Sequence, residues 1–467
     1  MLAGSLAVAS PVFAGDGSCT TGECTPEGCS SDVCCKHCEK IFEEAGQKLT
    51  DQLASMSCCG NCGCEHSNSC CAPSSVCDSG CSDPCGDILG DSCGEGCGAS
   101  EEGCKGLFGD VGHGITIGGW TQFGYQNKAD GAFTGNGAFN NVNFGGGFDN
   151  SNEWGKFNLN QQALYINKTA DGSKGIGFGF RAEMIYGVDG NEAQAFGNPA
   201  TPGNGSYDFL NGWDHGTYEW ALPQLYAEVA VEDVSVKLGH FYTPVGYEVI
   251  PSGGNFFLSR QLTFYNSEPF THSGALATYT ASDNVQILGG WTAGWDTGFE
   301  RNNYSSSFLG GAIIKLSDKA TFTHMVAAGN FGARQDGMVN SSILAYNWTD
   351  KWSSVHQFDV LGTNASTAGA NFATNGIADN SIGQINYLFY QVSDKIKLGT
   401  RQEWYKADSV SYNTLTYGVN VTPVKNFVVR PEVRHMWAPG ANNSGLAPGH
   451  GDLFNETVVG VDAILTY

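Results

Sequence analysis

The chain has 467 residues, of which 65 are Gly, 12% are aromatic and only 15% are charged. That charge content lies well below the quarter or so usual in soluble globular domains, and the net charge of -24 excludes the basic footprint of a nucleic-acid-binding protein. No apolar run approaches the roughly 20 residues of a transmembrane helix. A helical membrane protein is therefore excluded, whereas a β-barrel, whose strands bury only every second side chain, is not.

The first elements in chain order concern export. Leu2 to Phe13 is apolar with small residues, and Val12-Phe13-Ala14 resembles a signal-peptidase site, although a basic leading region is missing. Residues 1–14 thus read as a signal-peptide-like segment. All 18 cysteines lie between Cys19 and Cys104, and this break in composition marks a domain boundary at Lys105.

Residues 15–104 form an acidic, Cys-rich segment with one helical pattern, Lys36 to Met56, in which Ile41, Ala45, Leu49 and Leu53 share a face. It has too few large apolar residues for a core and needs cross-links or metal. Cys35 and Cys38, and Cys59 and Cys62, have the C-x-x-C spacing of a zinc half-site. The adjacent pairs Cys34/Cys35, Cys58/Cys59 and Cys70/Cys71 point instead to a disulfide web, which an oxidising compartment favours. No C-x-x-C-H is present for covalent haem, and no cofactor is expected.

From Lys105 to Tyr467, stretches of about ten residues alternate apolar and polar, the period of a membrane-spanning β-barrel. In the first strand Thr121, Phe123 and Tyr125 share one face, with Gln122 and Gln126 on the other. A later strand sets Phe178, Phe180, Ala182 and Met184 against Arg181 and Glu183. Short stops recur as Ser282-Asp283-Asn284, Ser317-Asp318-Lys319, Asp350-Lys351 and Ser393-Asp394-Lys395, and long Gly/Asn/Ser-rich stretches separate them. This predicts an all-β fold, an antiparallel transmembrane barrel of about sixteen strands, with fourteen and eighteen also open, and tight turns on the side of both termini. The closing strand, Phe454 to Tyr467, alternates and ends on an aromatic, like the assembly signal of outer-membrane proteins. Trp120, Trp220, Trp291, Trp348, Trp352, Trp404 and Trp437 are expected in interfacial girdles, with a sugar-binding track, on whose aromatic faces sugars stack, as the alternative.

Gly118-Gly119-Trp120-Thr121-Gln122-Phe123-Gly124-Tyr125 is similar to the first strand of the OmpL-like β-barrel porin family (β-barrel porin-2). So are Leu222 to Glu228 and Leu238 to Glu248, and the resemblance runs over roughly residues 110–467. It implies an outer-membrane channel with no catalytic residues to carry over, and it does not reach the Cys-rich segment.

Charges within strands belong on the lumen face, because Arg or Lys facing lipid at mid-membrane costs about 2–4 kcal/mol. The candidate pore-lining residues are therefore Arg181, Glu183, Lys397, Arg401, Glu403, Arg430, Glu432 and Arg434. They either set the ion preference or form paired ion bridges along an inner wall, and the closely spaced Arg430, Glu432 and Arg434 favour the second role. The region Pro244–Pro269, long, aromatic and carrying Glu248, Arg260 and Glu268, is the candidate constriction loop; a surface or trimer contact is its other reading.

The histidines are scattered, and no G-x-S-x-G, phosphate loop or metalloprotease helix occurs, so no enzyme is expected. The function expected is a porin of the bacterial outer membrane, passing small hydrophilic solutes and ions, with the Cys-rich segment in the periplasm. The alternative is a structural envelope protein anchored by the barrel and cross-linked through its cysteines. Outer-membrane lipid, a homotrimer and a disulfide-linked envelope partner are the partners these readings allow.

Overall fold

The computed structural model describes residues 109–127, 157–195, 218–299, 301, 304–332, 334–365, 378–407, 409–438 and 456–467. The expectations for residues 1–104, including their thiol or metal chemistry, lie outside the described residues. A two-residue strand, Gly109–Asp110, pairs antiparallel with Ile117 and Thr116.

Sixteen longer strands follow in chain order. They are β1 (Ile115–Gln126), β2 (Phe157–Lys168), β3 (Ile176–Gly187), β4 (Glu219–Val231), β5 (Val234–Tyr242), β6 (Thr271–Ser282), β7 (Val285–Thr292) and β8 (Ser306–Ser317). The second half comprises β9 (Ala320–Asn330), β10 (Asp336–Asn347), β11 (Trp352–Thr363), β12 (Asn380–Ser393), β13 (Ile396–Ala407), β14 (Val410–Val424), β15 (Phe427–Trp437) and β16 (Glu456–Thr466). Each pairs antiparallel with its sequence neighbours, and β16 returns to β1 through Val461↔Tyr125 and Ala463↔Phe123. Closure leaves no unpaired edge, which is what a sheet needs to reside in hydrocarbon. No helix among the described residues is long and apolar enough to cross a membrane.

The short connections fold by local side-chain chemistry. The backbone N–H of Asn284 donates to Ser282 Oγ at 3.3 Å, that of Lys319 to Ser317 Oγ at 3.2 Å and that of Lys351 to Thr349 Oγ1 at 3.2 Å. The same two-residue bridge recurs at Asp171, whose carboxylate accepts from the Ser173 N–H at 2.9 Å. Such bridges fix a turn without tertiary help. On the opposite side most connections are long, but only two residues separate β13 from β14 and five separate β9 from β10.

Period-2 alternation sorts the side chains. Phe178, Met184, Leu225, Leu238, Ile287, Phe308, Leu398 and Val433 are exposed on the outside, while Glu183, Arg401, Arg430 and Arg434 on the opposite face are buried. The connection between β5 and β6 runs inward against the wall and holds a 3-10 turn at Ser252–Gly254 and α1 (Leu262–Ser267). A six-residue helix, Val188–Ala193, follows β3.

Three apolar clusters join the inward connection to the wall. Val245 and Leu262 cluster with Leu276, Leu288, Leu309, Met325, Val339 and Leu361. Ile250 and Phe264 cluster with Trp120, Ala163 and Ile185. Phe257 clusters with Ile343, Val355, Ile385, Tyr387 and Phe389. Each large apolar side chain so buried contributes about 1.5–3 kcal/mol.

One expectation is corrected here. Trp120 is no girdle residue: it is only 7% exposed and donates its indole N–H to Gln161 Oε1 at 2.8 Å, because the inward connection gives it an apolar neighbour inside the barrel. Beyond β7, which ends at Thr292, Asp296 takes the left-handed φ of 47° that a non-glycine residue seldom adopts in a strand.

Candidate functional site: an inward connection clasped by the barrel wall

The connection between β5 and β6 is tied to the wall by charge as well as by apolar packing. Its carboxylate Glu248 meets Arg401 of β13 at 2.6 Å, with both side chains almost wholly buried. Arg401 also donates to the Ser259 carbonyl and hydroxyl, each at 2.8 Å, and Tyr387 donates to Glu248 at 2.8 Å.

Next to it on β13, Glu403 accepts the backbone N–H of Leu262 at 2.9 Å and of Thr263 at 2.8 Å, plus the Thr263 hydroxyl at 2.9 Å. The first N–H groups of a helix lack partners within it and carry its positive end, so a carboxylate there holds α1 in place. The neighbouring Gln261 N–H donates to Glu248 at 2.7 Å.

On β15 the three charges divide their tasks. Arg430 pairs with Asp462 of β16, not with Glu432, and donates to the carbonyls of Ser252 at 2.9 Å and Asn255 at 2.6 Å. Glu432 accepts the Ser259 N–H at 3.1 Å. Arg434 is fully buried, in register opposite Thr416.

Arg260 turns back on its own connection, donating to the carbonyls of Leu258 at 2.9 Å and Ile250 at 3.2 Å. Burial lowers its pKa, while Glu248 and Asp189 oppose that shift. Glu268 accepts from Gln357 at 2.6 Å, and the same amide serves Asp359 at 3.0 Å. Burial, then the neighbouring Asp359 carboxylate, pushes Glu268 well above the ordinary carboxylate range.

The remaining candidates stand apart from this clasp. Arg181 pairs with Glu183 on its own strand and covers the Tyr165 ring at 4.3 Å. Glu183 also accepts from Gln224 at 3.1 Å and from Tyr242. Lys397 has no acidic partner among the described residues and lies 4.7 Å from the Phe389 ring centre and 5.9 Å from that of Phe256.

Sequence reasoning missed the wall residues that receive the connection. Gln357, Asp359, Tyr387 and Gln161 are buried partners of it, and Asp462 pairs with Arg430, which bonds its carbonyls. The wall glycines were a further signal, because Gly inside a strand often marks a close backbone approach. A Cβ at Gly399 would run into Phe256, and one at Gly383 into Thr263. At Gly418 it would lie 2.9 Å from Phe257, and at Gly460 2.9 Å from Leu258. These glycines form the footprint on which the connection rests. Among the described residues no group of three His, Cys, Asp or Glu side chains could hold a metal ion.

Residues 114–467 match the family described as "Putative beta-barrel porin-2, OmpL-like". The chain belongs to this porin family. The family and the closed barrel together indicate the outer membrane and a general porin role. No curated protein sequence matches the chain. Solved structures similar to it include a mutant Rh. blastica porin, at 12% identity, covering 76% of this chain and 100% of that one, with a TM-score of 0.46. An "Anion-selective porin from Comamonas acidovorans" is 10% identical, covers 76% and 99% of the two chains, and gives a TM-score of 0.45.

Proposed function

We propose that this porin passes small hydrophilic solutes and ions by diffusion through a water-filled lumen that the β5–β6 connection narrows. The observation that carries the reading is the inward course of that connection, held by Glu248–Arg401 and by Glu403 on α1. A loop needed only outside the barrel has no use for two wall carboxylates and two wall arginines spent on its backbone.

In this reading the eight wall charges play two roles. Arg401, Glu403, Arg430 and Glu432 fasten the constriction, since each contacts residues 248–263. Arg181 and Glu183 neutralise each other, and Lys397 contributes the least compensated charge to the lumen. Arg434 belongs to the same wall, and Glu248, Arg260 and Glu268 belong to the constriction. Residues 15–104 are assigned to the periplasm, the side of the short turns.

Liposome swelling tests the reading. Vesicles containing the purified barrel should swell in small sugars and more slowly as sugar size grows. Swelling no faster than that of empty vesicles, with the barrel inserted, would contradict it.

A further inference from the structure

The inner wall of a barrel pore is ordinarily polar. On the turn half of β10–β12 this one is apolar: Ile343, Ala345, Val355 and Phe389 face inward and are buried. Two rings of the β5–β6 connection, Tyr247 and Phe256, pack on that patch and remain only half-buried. Tyr247 meets Tyr387 at 5.0 Å and Phe256 meets Phe389 at 4.9 Å, ring centre to ring centre.

One cation stands beside these rings. Lys397 Nζ lies 4.7 Å from the Phe389 ring centre and 5.9 Å from that of Phe256, on a half-buried side chain. A ring face attracts an ammonium without neutralising its charge. Other inward-facing cations of the turn half have a carboxylate at hand. Arg181 pairs with Glu183, Lys315 meets Asp318 at 2.7 Å, and Lys237 stands in register opposite Glu228. Opposite Lys397 are the neutral Gln391 of β12 and Asn420 of β14. The Asn420 oxygen is buried and has no partner among the described residues, and its N–H groups have none either. The Lys397 ammonium and the Asn420 amide are thus donors on adjacent strands without an acceptor among the described residues.

Resting on the porin reading above, we propose that this corner of the lumen binds small carboxylates with an aromatic body. The carboxylate accepts from Lys397 and Asn420 and supplies the missing counter-charge. The solute's ring covers the open parts of Phe256 and Tyr247 in the offset or edge contacts that aromatic pairs favour. A purely apolar solute leaves the ammonium unanswered, and a bare carboxylate leaves the rings wet. Lys397 comes before Arg401 on β13, nearer the Ser393-Asp394-Lys395 turn, so the site lies on the turn side of the Glu248–Arg401 clasp. A solute entering from the loop side meets it after the constriction.

Planar-bilayer recording of the full chain in KCl tests the site, with benzoate, its neutral isostere benzamide and ringless acetate as probes. Benzoate should block the conductance at concentrations about tenfold below either of the others, the worth of one hydrogen bond to a charged group. Lys397→Met should remove that advantage and Phe256→Leu should reduce it, while Lys315→Met should keep it. Lys397→Glu should transfer the advantage to benzamidinium, a gain that misfolding cannot imitate. Benzoate no stronger than benzamide or acetate on a conducting wild type overturns the site alone. So does a Lys397→Met channel that benzoate blocks as it blocks the wild type. Vesicle co-sedimentation reports insertion, and an inserted wild type that never conducts overturns the porin reading with the site.

Discussion

Glu248 and Arg401, 153 positions apart, form an ion pair with almost no solvent contact, and it fastens the inward connection to β13. Charges removed from water are costly unless both are paired and further bonded. Here Tyr387, Ser259 and Gln261 complete the set.

Removing one partner should therefore be worse than removing both. Arg401→Met leaves Glu248 buried without its cation, an expected loss of about 3–5 kcal/mol. Adding Glu248→Gln should recover most of that loss. Denaturant unfolding of the wild type and the two variants, with protease nicking between residues 244 and 270, measures both the energy and the place where it is lost.

The glycine footprint gives a steric test. Gly399→Val puts a branched side chain where the Phe256 ring lies, so the connection should detach and become protease-sensitive with the barrel still folded. Gly253→Ala is the control, because a Cβ there meets nothing within 4 Å. Equal protease resistance in the two variants would remove the footprint.

Glu268 gives the connection a pH dependence of known sign. Its pKa is raised by burial and by Asp359, so the neutral form is the one that docks. That contribution is fully present below the ordinary glutamate range and is lost as pH rises toward the raised value. Wild-type protein should thus resist unfolding better at about pH 5 than at about pH 8, and Glu268→Gln should flatten the difference. An unchanged slope in the variant would assign the dependence to another group.

The two faces of one strand give a contrast in the bilayer. Val433→Arg places a charge among lipid tails and should destabilise the inserted barrel by about 2–4 kcal/mol. Folding measurements in vesicles read this directly. A cost near zero would place Val433 outside the apolar band.

Much of this fold was legible because a barrel strand writes its two environments into alternate residues. Phe180 beside Arg181 and Val433 beside Arg434 state which face is which without any long-range knowledge. Turns such as Ser317-Asp318-Lys319 are equally local, since one hydroxyl closes them. The partners of the inward connection were not legible, because Glu248 meets Arg401 only once the barrel has closed. Trp120 was misplaced for the same reason: an indole in the first strand suits an interface equally well until Ile250 and Phe264 are known to lie behind it. The interior glycines were visible, but what they make room for was not.

Single-channel recording in a planar bilayer tests the central claim most directly. The wild type should give discrete conductance steps, and deletion of Gly253 to Leu262 should give larger ones while the barrel still inserts. An inserted wild type without steps, or a deletion whose steps equal those of the wild type, would contradict a lumen narrowed by the β5–β6 connection.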